Sequence, residues 1–354
     1  MIDFHISDSL NSESPHVRGW SQCRAMLSGS QLVSDLSRVE LVSEPTNSFL
    51  LMDGEIHRAV RGIVMSYFTR ARLDRVEERL KNTCQELVRS LVGKRDADLI
   101  SDLAEPLVLD GILSMMEVPN ECRSELGDLA RSMLGMLEPN LSSTARHKTM
   151  NAALSATLLF WRDGKAGHAM GLHAVLEDAA KDGIIPIKLA RSTPVVVLHG
   201  GYENPLNQLG CLIAWAVENS ERFREMAMSA PTLLFEEILR LYSPVRLVAR
   251  RAAMGGAIDG KAVNRGDLVW VDIESANLDP QRFRTPSEFN PNQKQTHLGF
   301  GHGSHMCLGA ALARLEGIIL IQALLSIPSE QLREFKIKWG DGIVARGPIA
   351  ITRL

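Results

Sequence analysis

Along several stretches of the chain, apolar residues recur every three or four positions, which is the spacing of one buried helix face. The clearest stretch covers residues 73–91, and Gly93 follows it where a helix stop is expected. Residues 98–117, 232–242 and 308–325 show similar patterns, the last with many Ala and Leu residues that favour helix. The chain is therefore predicted to be mainly helical.

Strand-like patterns are short and few. Residues 245–249 and 268–273 are apolar enough to form strands, and Gly266 and Asp267 supply a turn before the second of them. No fixed-period repeat, low-complexity tract or long Pro/Gly/Ser linker divides the chain. We predict one mainly α domain over residues 1–354 with a minor β region.

Composition and charge exclude several classes of protein. Hydrophobic residues make up 45% of the chain and charged residues 23%, which excludes wholesale disorder. The formal net charge of -3 argues against nucleic acid or an anionic membrane as the main partner. No apolar run reaches the roughly 18 residues of a membrane-spanning helix, and residues 1–30 lack a signal-peptide pattern. The expected location is the cytoplasm.

One of the five cysteines has unusual surroundings. The cysteines form no CxxC pair, which argues against a disulfide framework and a four-cysteine zinc site. Cys307 differs from the others because four glycines lie around it in residues 297–309, directly before a predicted helix. Such glycine density predicts unusual backbone angles and a close approach to another group. A position at a helix N-terminus also predicts a lowered pKa of the thiol.

Several roles are compatible with Cys307 from the residues alone. It could be a buried structural cysteine, a zinc ligand with His302 and His305, a nucleophile with a histidine base, or a thiolate ligand of haem iron. A zinc site normally needs a second ligand cluster, and no orienting histidine and Asn or Asp set for a nucleophile stands out. Both of these roles are therefore disfavoured, and haem ligation can be tested against the rest of the chain.

A longer motif surrounds Cys307. It comprises Phe300, Gly301, Gly303, His305, Cys307 and Gly309, followed by Ala311, Leu312, Ala313, Arg314 and Glu316. This pattern resembles the haem-binding signature of the cytochrome P-450 family in its soluble bacterial type. The resemblance implies that Cys307 is the axial ligand of haem b and that Phe300, Gly301 and Gly309 contact the cofactor. In this family, the standard case of such ligation, the thiolate favours O–O cleavage.

The resemblance extends over most of the chain and implies the cytochrome P-450 fold, with haem between a long central helix and the helix after the cysteine loop. It runs from about residue 52 to the C-terminus, so we expect residues 52–354 to form the haem-binding body. Residues 1–51 resemble a shortened N-terminal part, in which residues 20–27 represent the first helix. A shortened start predicts a reduced sheet and an open pocket.

Four residues lie where the family places donors to the haem propionates. His57 and Arg61 resemble the histidine and arginine of a family helix start, one turn apart. Arg250 resembles the arginine of the strand that follows the Glu-x-x-Arg helix, and His305 precedes the cysteine by two residues. The resemblance implies that all four bind propionates, at about 1.5–3 kcal/mol for each charge-assisted hydrogen bond.

Glu237 and Arg240 resemble the family's Glu-x-x-Arg pair, and a spacing of three puts both on one helix face. In the family, a further arginine closes a triad with this pair. Leu278 replaces an arginine usual in the preceding segment, and Lys294 lies one residue after the usual position of the triad arginine. Because lysine lacks the planar fork of arginine, we expect a weakened triad and weaker haem retention.

Residues 195–217 resemble the central helix that crosses the oxygen-binding face of the haem. The family pattern there ends in Asp or Glu followed by Thr, whereas this chain has Glu203, Asn204 and Pro205 after Gly200 and Gly201. The resemblance implies that Glu203 supplies protons for dioxygen activation, and that Asn204 contacts substrate or water in place of the threonine. Pro205 is expected to open the helix ladder, because it has no N–H.

The resemblance implies a monooxygenase that oxidises a small or medium organic molecule, in secondary metabolism, with dioxygen and electrons from a separate ferredoxin or flavodoxin. Two alternatives remain: a haem-thiolate enzyme without monooxygenation (a peroxide-driven oxidase, dehydratase or isomerase), and a non-catalytic haem-binding protein. The altered segment at Asn204 and Pro205 favours the first alternative, and the retained Glu203 argues against the second. The substrate could be free or tethered to a carrier protein.

Some segments are expected to form the pocket and its entrance. Residues 28–48 and 137–147 are polar and weakly periodic, which predicts loops. Residues 31–50, 150–161 and 245–248 are the expected pocket walls, and a small, mainly apolar ligand is the default for an apolar cavity.

Overall fold

Helices dominate the computed structural model, which describes residues 14–39, 48–91, 93–165, 171–293 and 296–353. The α-helices of these residues are α1 (Trp20–Ser28), α2 (Glu55–Tyr67), α3 (Arg70–Leu91), α4 (Glu105–Met115), α5 (Asn120–Ser132), α6 (Ser143–Lys165), α7 (Leu172–Lys181), α8 (Ile187–Gly200), α9 (Glu203–Glu218), α10 (Ser220–Ser229), α11 (Pro231–Tyr242), α12 (Ile273–Asn277), α13 (Ala310–Leu324) and α14 (Ser329–Leu332). Short 3-10 turns cover Leu36–Val39, Phe49–Leu51 and Gly303–His305.

The predicted helices are present with small changes at their ends. The amphipathic pattern of residues 73–91 becomes α3, and Gly93 follows it with a positive φ of 80°. Residues 98–117 do not form one regular helix, because a wider π turn at Ile100–Ala104 precedes α4. Pro106 lies in the first turn of α4 and cannot donate to the helix ladder, which is consistent with irregular backbone just before it.

Strands form three small sheets in the described residues. The strands are β1 (His16–Val17), β2 (Leu32–Val33), β3 (Leu247–Ala252), β4 (Gly256–Ile258), β5 (Lys261–Val263), β6 (Leu268–Asp272), β7 (Phe335–Trp339) and β8 (Pro348–Arg353). The largest sheet has the order β1-β6-β3-β2, in which β1 runs parallel to β6 and the other pairs are antiparallel. The other two sheets are the hairpins β4-β5 and β7-β8. The predicted strands thus correspond to β3 and β6.

Two hydrophobic clusters hold these elements together. The larger one lies among α3, α4, α8, α9, α11 and α13, and includes fully buried residues such as Leu80, Leu107, Leu198, Leu212 and Leu320. The smaller one packs α1 against the four-stranded sheet. Burial of a leucine side chain contributes about 1.5–3 kcal/mol, so these contacts fix the helices that carry the functional residues.

The central helix is opened, as expected from the sequence, but the break lies at residues 201–202 rather than at Pro205. α8 ends at Gly200 and α9 begins at Glu203. A Cβ atom on Gly201 would lie 2.4 Å from Ile112 Cδ1, so α4 approaches the break too closely for a side chain there. Pro205 is the third residue of α9, where its missing N–H removes no bond of a continuous ladder.

The predicted loops are correct only in part. α6 already begins at Ser143, inside the predicted loop of residues 137–147. Within residues 28–48, the structure has β2 and a 3-10 turn, and residues 40–47 lie outside the described part of the chain. None of the helices in the described ranges combines the length and apolar content needed to cross a membrane.

Candidate functional site

The glycine-rich loop presents Cys307 before α13. The N–H of Cys307 donates to the carbonyl of Phe300 at 2.8 Å, which folds the loop back on itself. Gly301 and Gly303 adopt positive φ angles of 69° and 75°, as the glycine density predicts. A Cβ atom on Gly303 would lie 2.4 Å from the carbonyl oxygen of Leu27, so glycine is also required for the contact with α1.

The Cys307 thiol is not activated by the helix end as the sequence predicts. α13 begins at Ala310, three residues later. Cys307 has solvent-accessible surface, but the surrounding protein desolvates its thiol and so raises the pKa of the thiol. The N–H of Gly309 and the charges of Arg61 and Arg314 lower this pKa, but by less. Burial therefore outweighs the favourable interactions. A thiolate at this position requires a stronger partner, and a bound metal ion deprotonates a coordinating thiol outright.

Asp53 interacts with three of the four predicted propionate donors, and the fourth, Arg61, contacts the cysteine loop. His305 Nε2 lies 3.1 Å from Asp53 Oδ1, and the His57 ring stacks on the His305 ring with centroids 4.3 Å apart. Arg250 is close enough for the Asp53 charge to affect its pKa. Arg61 Nη2 donates to the carbonyl of Met306 at 2.6 Å, next to Cys307. The fold thus brings together all four residues that the resemblance selects.

These donors are desolvated, and a ring nitrogen of His57 has no hydrogen-bond partner. Burial lowers the pKa of Arg250 to about 10, although Asp53 opposes the shift. Burial, followed by repulsion from His305 and Arg61, lowers the pKa of His57 to about 4, so this ring is neutral near pH 7. His57 Nε2 is buried without a hydrogen-bond partner in the structure. An orphaned donor beside two desolvated guanidinium groups fits an anionic cofactor group.

Asp53, four residues before His57, was not among the predicted site residues. Burial would raise the pKa of its carboxyl, but hydrogen bonds from His305 and from the N–H groups of Asp35 and Ser34 outweigh that effect. Its pKa is therefore well below the usual range. A charged Asp53 orients His305 and partly balances the nearby cations.

The other predicted cofactor contacts belong to the same loop. Gly309 is so close to Cys307 that a Cβ atom on it would lie 4.0 Å from the sulfur. The Phe300 ring lies under the Arg314 guanidinium, 4.5 Å from ring centroid to Cζ.

Arg314 also binds Glu236, which lies 2.9 Å from His297 Nε2, so α11, α13 and the cysteine loop share one ion-pair network. Glu236 was not identified from sequence, since a single Glu beside the Glu-x-x-Arg pair carries no motif.

Glu237 and Arg240 form a fully buried pair on α11. Arg240 Nη2 and Nε lie 2.7 and 2.9 Å from the two carboxylate oxygens of Glu237. The remaining Arg240 N–H groups donate to backbone carbonyls of Asn277, Pro286 and Glu288, and the N–H of Asn290 donates to Glu237.

Backbone carbonyls and an N–H group of the segment before the cysteine loop satisfy the pair. The expected weakening of the triad and of haem retention stays a prediction. Lys294 lies outside the described residues.

Both carboxylate oxygens of Glu203, the predicted proton source, contact other groups of the protein. Its Oε1 accepts the N–H of Gly135 at 2.7 Å, and its Oε2 lies 3.0 Å from His199 Nε2. Glu203 is buried, whereas its neighbour Asn204 is half-buried. Gly200 is exposed, and a Cβ atom there would meet nothing within 4 Å, so the end of α8 borders open space.

Two further observations limit the chemistry. In the described ranges, no group of three or more His, Cys, Asp or Glu side chains is placed to hold a metal ion, which removes the zinc alternative for His302, His305 and Cys307. A cavity of about 260 Å³ between α3 and α4 is lined mainly by arginines that are already paired with Asp110 and Glu117. Its charge does not suit an apolar substrate, and no predicted site residue lines it.

Comparisons with known proteins agree with this geometry. The Cytochrome P-450 family model matches residues 226–327. The biotin biosynthesis cytochrome P-450 of Bacillus subtilis is 27% identical over 340 residues, covering 92% of this chain and 86% of the relative. The methyl-branched lipid omega-hydroxylase of Mycobacterium bovis is 30% identical over 291 residues, covering 78% and 67%.

A solved structure supports the fold. A cytochrome P-450 crystallised with an acyl carrier protein bearing hexadec-9Z-enoic acid has a TM-score of 0.84 and 24% identity, covering 98% of this chain and 94% of that one. The fold, with a thiol-bearing loop before α13, is that of a haem-thiolate protein. The chain belongs to the cytochrome P-450 family, whose members bind haem through a cysteine thiolate, and it is a monooxygenase.

Proposed function

We propose that Cys307 is the axial ligand of haem b and that His57, Arg61, Arg250 and His305 bind the propionates. The observation that carries this assignment is the grouping of His57, Arg250 and His305 near Asp53 and of Arg61 beside the cysteine loop, with His57 Nε2 left without a partner. The haem supplies the activation of dioxygen when it is bound. The protein groups hold its anionic edge, desolvate the thiol and orient the cysteine loop, all within one domain.

The proposed substrate is a small or medium organic molecule of secondary metabolism, either free or tethered to a carrier protein. Support comes from the relatives: one of Bacillus subtilis is named for polyketide biosynthesis, and a structural neighbour was crystallised with an acyl carrier protein. The half-buried Asn204 amide beside the open space at Gly200 would orient a polar group of that molecule. Electrons would come from a separate ferredoxin or flavodoxin.

The ligand assignment is tested by the absorption of the reduced protein under carbon monoxide. The wild type is expected to show the strongly red-shifted band that a thiolate ligand produces, and Cys307→His should lose it. Cys84→Ala is the matched control, because Cys84 is buried in α3, away from the cysteine loop. Retention of the band in Cys307→His would show that another residue binds the iron.

The carrier question needs a separate experiment. An acyl chain presented on an acyl carrier protein should perturb the ferric haem spectrum at lower concentration than the same free acid if the substrate is tethered. Equal affinity for both forms, or a preference for the free acid, would contradict a carrier requirement.

A second candidate keeps the monooxygenation but takes its oxygen from hydrogen peroxide in place of dioxygen and a ferredoxin. Asn204 replaces the family's threonine, and the carboxylate of Glu203 is occupied by Gly135 and His199. Both features weaken the usual proton route for dioxygen activation. Product formation with hydrogen peroxide, at a rate equal to or above that with a ferredoxin system, would favour this candidate.

A further inference from the structure

Four arginines line the cavity of about 260 Å³ between α3 and α4, which the proposed function does not use. Arg72, Arg75 and Arg79 belong to α3, and their spacing of three and four residues places them on one face of that helix. The fourth, Arg123, belongs to α5. None of the residues proposed to hold the haem is among the lining residues, which also include Val76, Ser114, Met115 and Glu117.

Asp110 positions two of these guanidinium groups. Its carboxylate accepts hydrogen bonds from Arg79 Nε at 2.8 Å and from Arg123 Nη2 at 2.6 Å. The hydroxyl of Thr83 donates to the same carboxylate at 2.8 Å, which fixes its orientation from a third side. Because a guanidinium group has five N–H donors, both arginines retain donors on their other nitrogens.

Glu117 pairs less completely with the other two arginines. Arg72 Nη1 is buried and has no hydrogen-bond partner in the described part of the chain, although Glu117 Oε1 lies 2.9 Å away. Arg75 Nη2 lies 3.7 Å from the same oxygen, which is beyond hydrogen-bond distance, and the Arg75 side chain is 70% exposed. The cavity therefore has one buried guanidinium nitrogen that is not satisfied and one guanidinium group that solvent can reach.

The backbone of Glu117 has a conformation that few residues other than glycine adopt. Its φ is 53°, in the left-handed region. The start of α7 packs against this turn: the N–H of Leu172 donates to the carbonyl of Met116 at 3.1 Å, and a Cβ atom on Gly171 would lie 2.6 Å from that carbonyl oxygen. Residues held in such conformations cluster at functional sites. The turn places a carboxylate among the arginines at a cost in backbone strain.

We propose that this cavity is a binding site for the dianion of a phosphate monoester. Four guanidinium groups and the two carboxylates that pair with them leave two positive charges, which such a dianion balances. Guanidinium groups bind phosphate oxygens through paired N–H groups. A water molecule takes about 30 Å³, so the cavity has room for an organic group beside the phosphate. Val76 and Met115 offer that group an apolar surface.

The proposal is tested by titration calorimetry of the holoprotein with phenyl phosphate and with inorganic phosphate. Measurements at pH 8 keep the ester a dianion, since its second pKa is about 6, and a constant ionic strength fixes the screening. Phenyl phosphate is expected to bind at one site with a Kd below about 1 mM, and about tenfold more tightly than inorganic phosphate, because its ring contacts the apolar wall.

Two variants should change this affinity in opposite directions. Arg75→Ala should weaken binding of phenyl phosphate about tenfold or more, because a charge-assisted hydrogen bond is lost. Glu117→Gln should strengthen it, because the variant removes a negative charge from the cavity wall. A general loss of structure would weaken binding in both variants.

Arg89→Ala is the matched control, because Arg89 is exposed in the last turn of α3 and does not line the cavity. It removes the same charge from the same helix and should keep the wild-type affinity. The proposal would be overturned by the absence of binding up to about 1 mM phenyl phosphate. Equal affinities for the ester and inorganic phosphate, or equal losses in Arg75→Ala and Arg89→Ala, would overturn it too.

Discussion

Arg240 is a buried charge that is satisfied by one carboxylate and by backbone carbonyls. Its guanidinium binds both oxygens of Glu237 and donates to the carbonyls of Asn277 and Pro286. The planar fork matches these acceptors, and a lysine would leave several of them unpaired. A buried ion pair that loses one partner typically costs about 3–5 kcal/mol.

We therefore expect Arg240→Lys to reduce stability by about 3 kcal/mol and to lower the yield of holoprotein strongly. Urea unfolding and haem content per polypeptide measure both effects. Arg222→Lys is the control, because the exposed Arg222 donates to the carbonyl of Phe289 in the same segment. Equal stability of the two variants would show that the buried pair is dispensable.

The propionate donors allow a second prediction at this scale. Arg61→Ala and Arg250→Ala should each accelerate haem transfer to an apoprotein acceptor by about tenfold, because each loses a charge-assisted hydrogen bond. The double variant should lose haem much faster, since a desolvated carboxylate would remain without a cationic partner. The exposed Arg58, one turn before Arg61 on α2, provides the control variant Arg58→Ala. Wild-type transfer rates in the double variant would refute the assignment of both arginines.

At the scale of elements, the break between α8 and α9 depends more on Gly201 than on Pro205. Gly201 lies where a Cβ atom would be 2.4 Å from Ile112 on α4. Pro205 instead occupies the first turn of α9, where proline is tolerated.

Gly201→Ala is accordingly expected to lower the free energy of unfolding by about 1–3 kcal/mol through overpacking. Pro205→Ala should change it by less than about 1 kcal/mol. Thermal unfolding of the two holoproteins measures the difference. A larger loss in Pro205→Ala would mean that the proline itself maintains the break.

Helices and loops could be predicted from the sequence where the residues that determine them lie close together along the chain. The apolar spacing of α3 and the glycines of the cysteine loop act on nearby backbone, so helix, loop and positive φ angles at Gly301 and Gly303 were predictable. An opening of the central helix was predictable from Pro205, but its position at residues 201–202 was not, because Ile112 of a distant helix lies against Gly201. The hydrogen bonds from Ile343, Val344 and Ala345 to the Glu138 carboxylate were not predictable either, since these partners lie about two hundred residues away.

For the site, the motif predicted which residues lie close together but not how they are organised. His57, Arg61, Arg250 and His305 come together as the resemblance implies, and their binding to propionates stays a prediction. Asp53 pairs with His305 and affects the pKa of Arg250 through contacts that no spacing rule reveals. The pKa of Cys307 was mispredicted, because the dipole argument considers one helix end whereas burial depends on the whole surrounding fold.

At the scale of the whole molecule, two glutamates give opposite contributions to the pH dependence of stability. Glu316 is fully buried between α13 and α4, and both its oxygens lack hydrogen-bond partners in the structure. Burial raises the pKa of its carboxyl well above the ordinary value. The folded state therefore binds a proton that the unfolded state releases above about pH 4.3, and stability falls as the pH rises from there towards the folded pKa.

Glu236 has the opposite sign. Burial would raise the pKa of its carboxyl, but hydrogen bonds and charges from His297 and Arg314 outweigh this effect and lower it to about 2. Its contribution is present above the unfolded pKa of about 4.3 and is lost as the pH falls towards 2.

Glu316→Gln should therefore become more stable than the wild type as the pH is raised, by on the order of 1 kcal/mol at pH 8, and lose this advantage near pH 4. Glu236→Gln should be less stable than the wild type at pH 8 and approach it at low pH. Urea unfolding of the three holoproteins between about pH 2 and pH 8 measures both trends, and comparing each variant with the wild type at the same pH cancels the contributions of groups such as His57. A pH-independent difference for Glu316→Gln would show that Glu316 is ionised in the folded protein and that a polar partner compensates its burial.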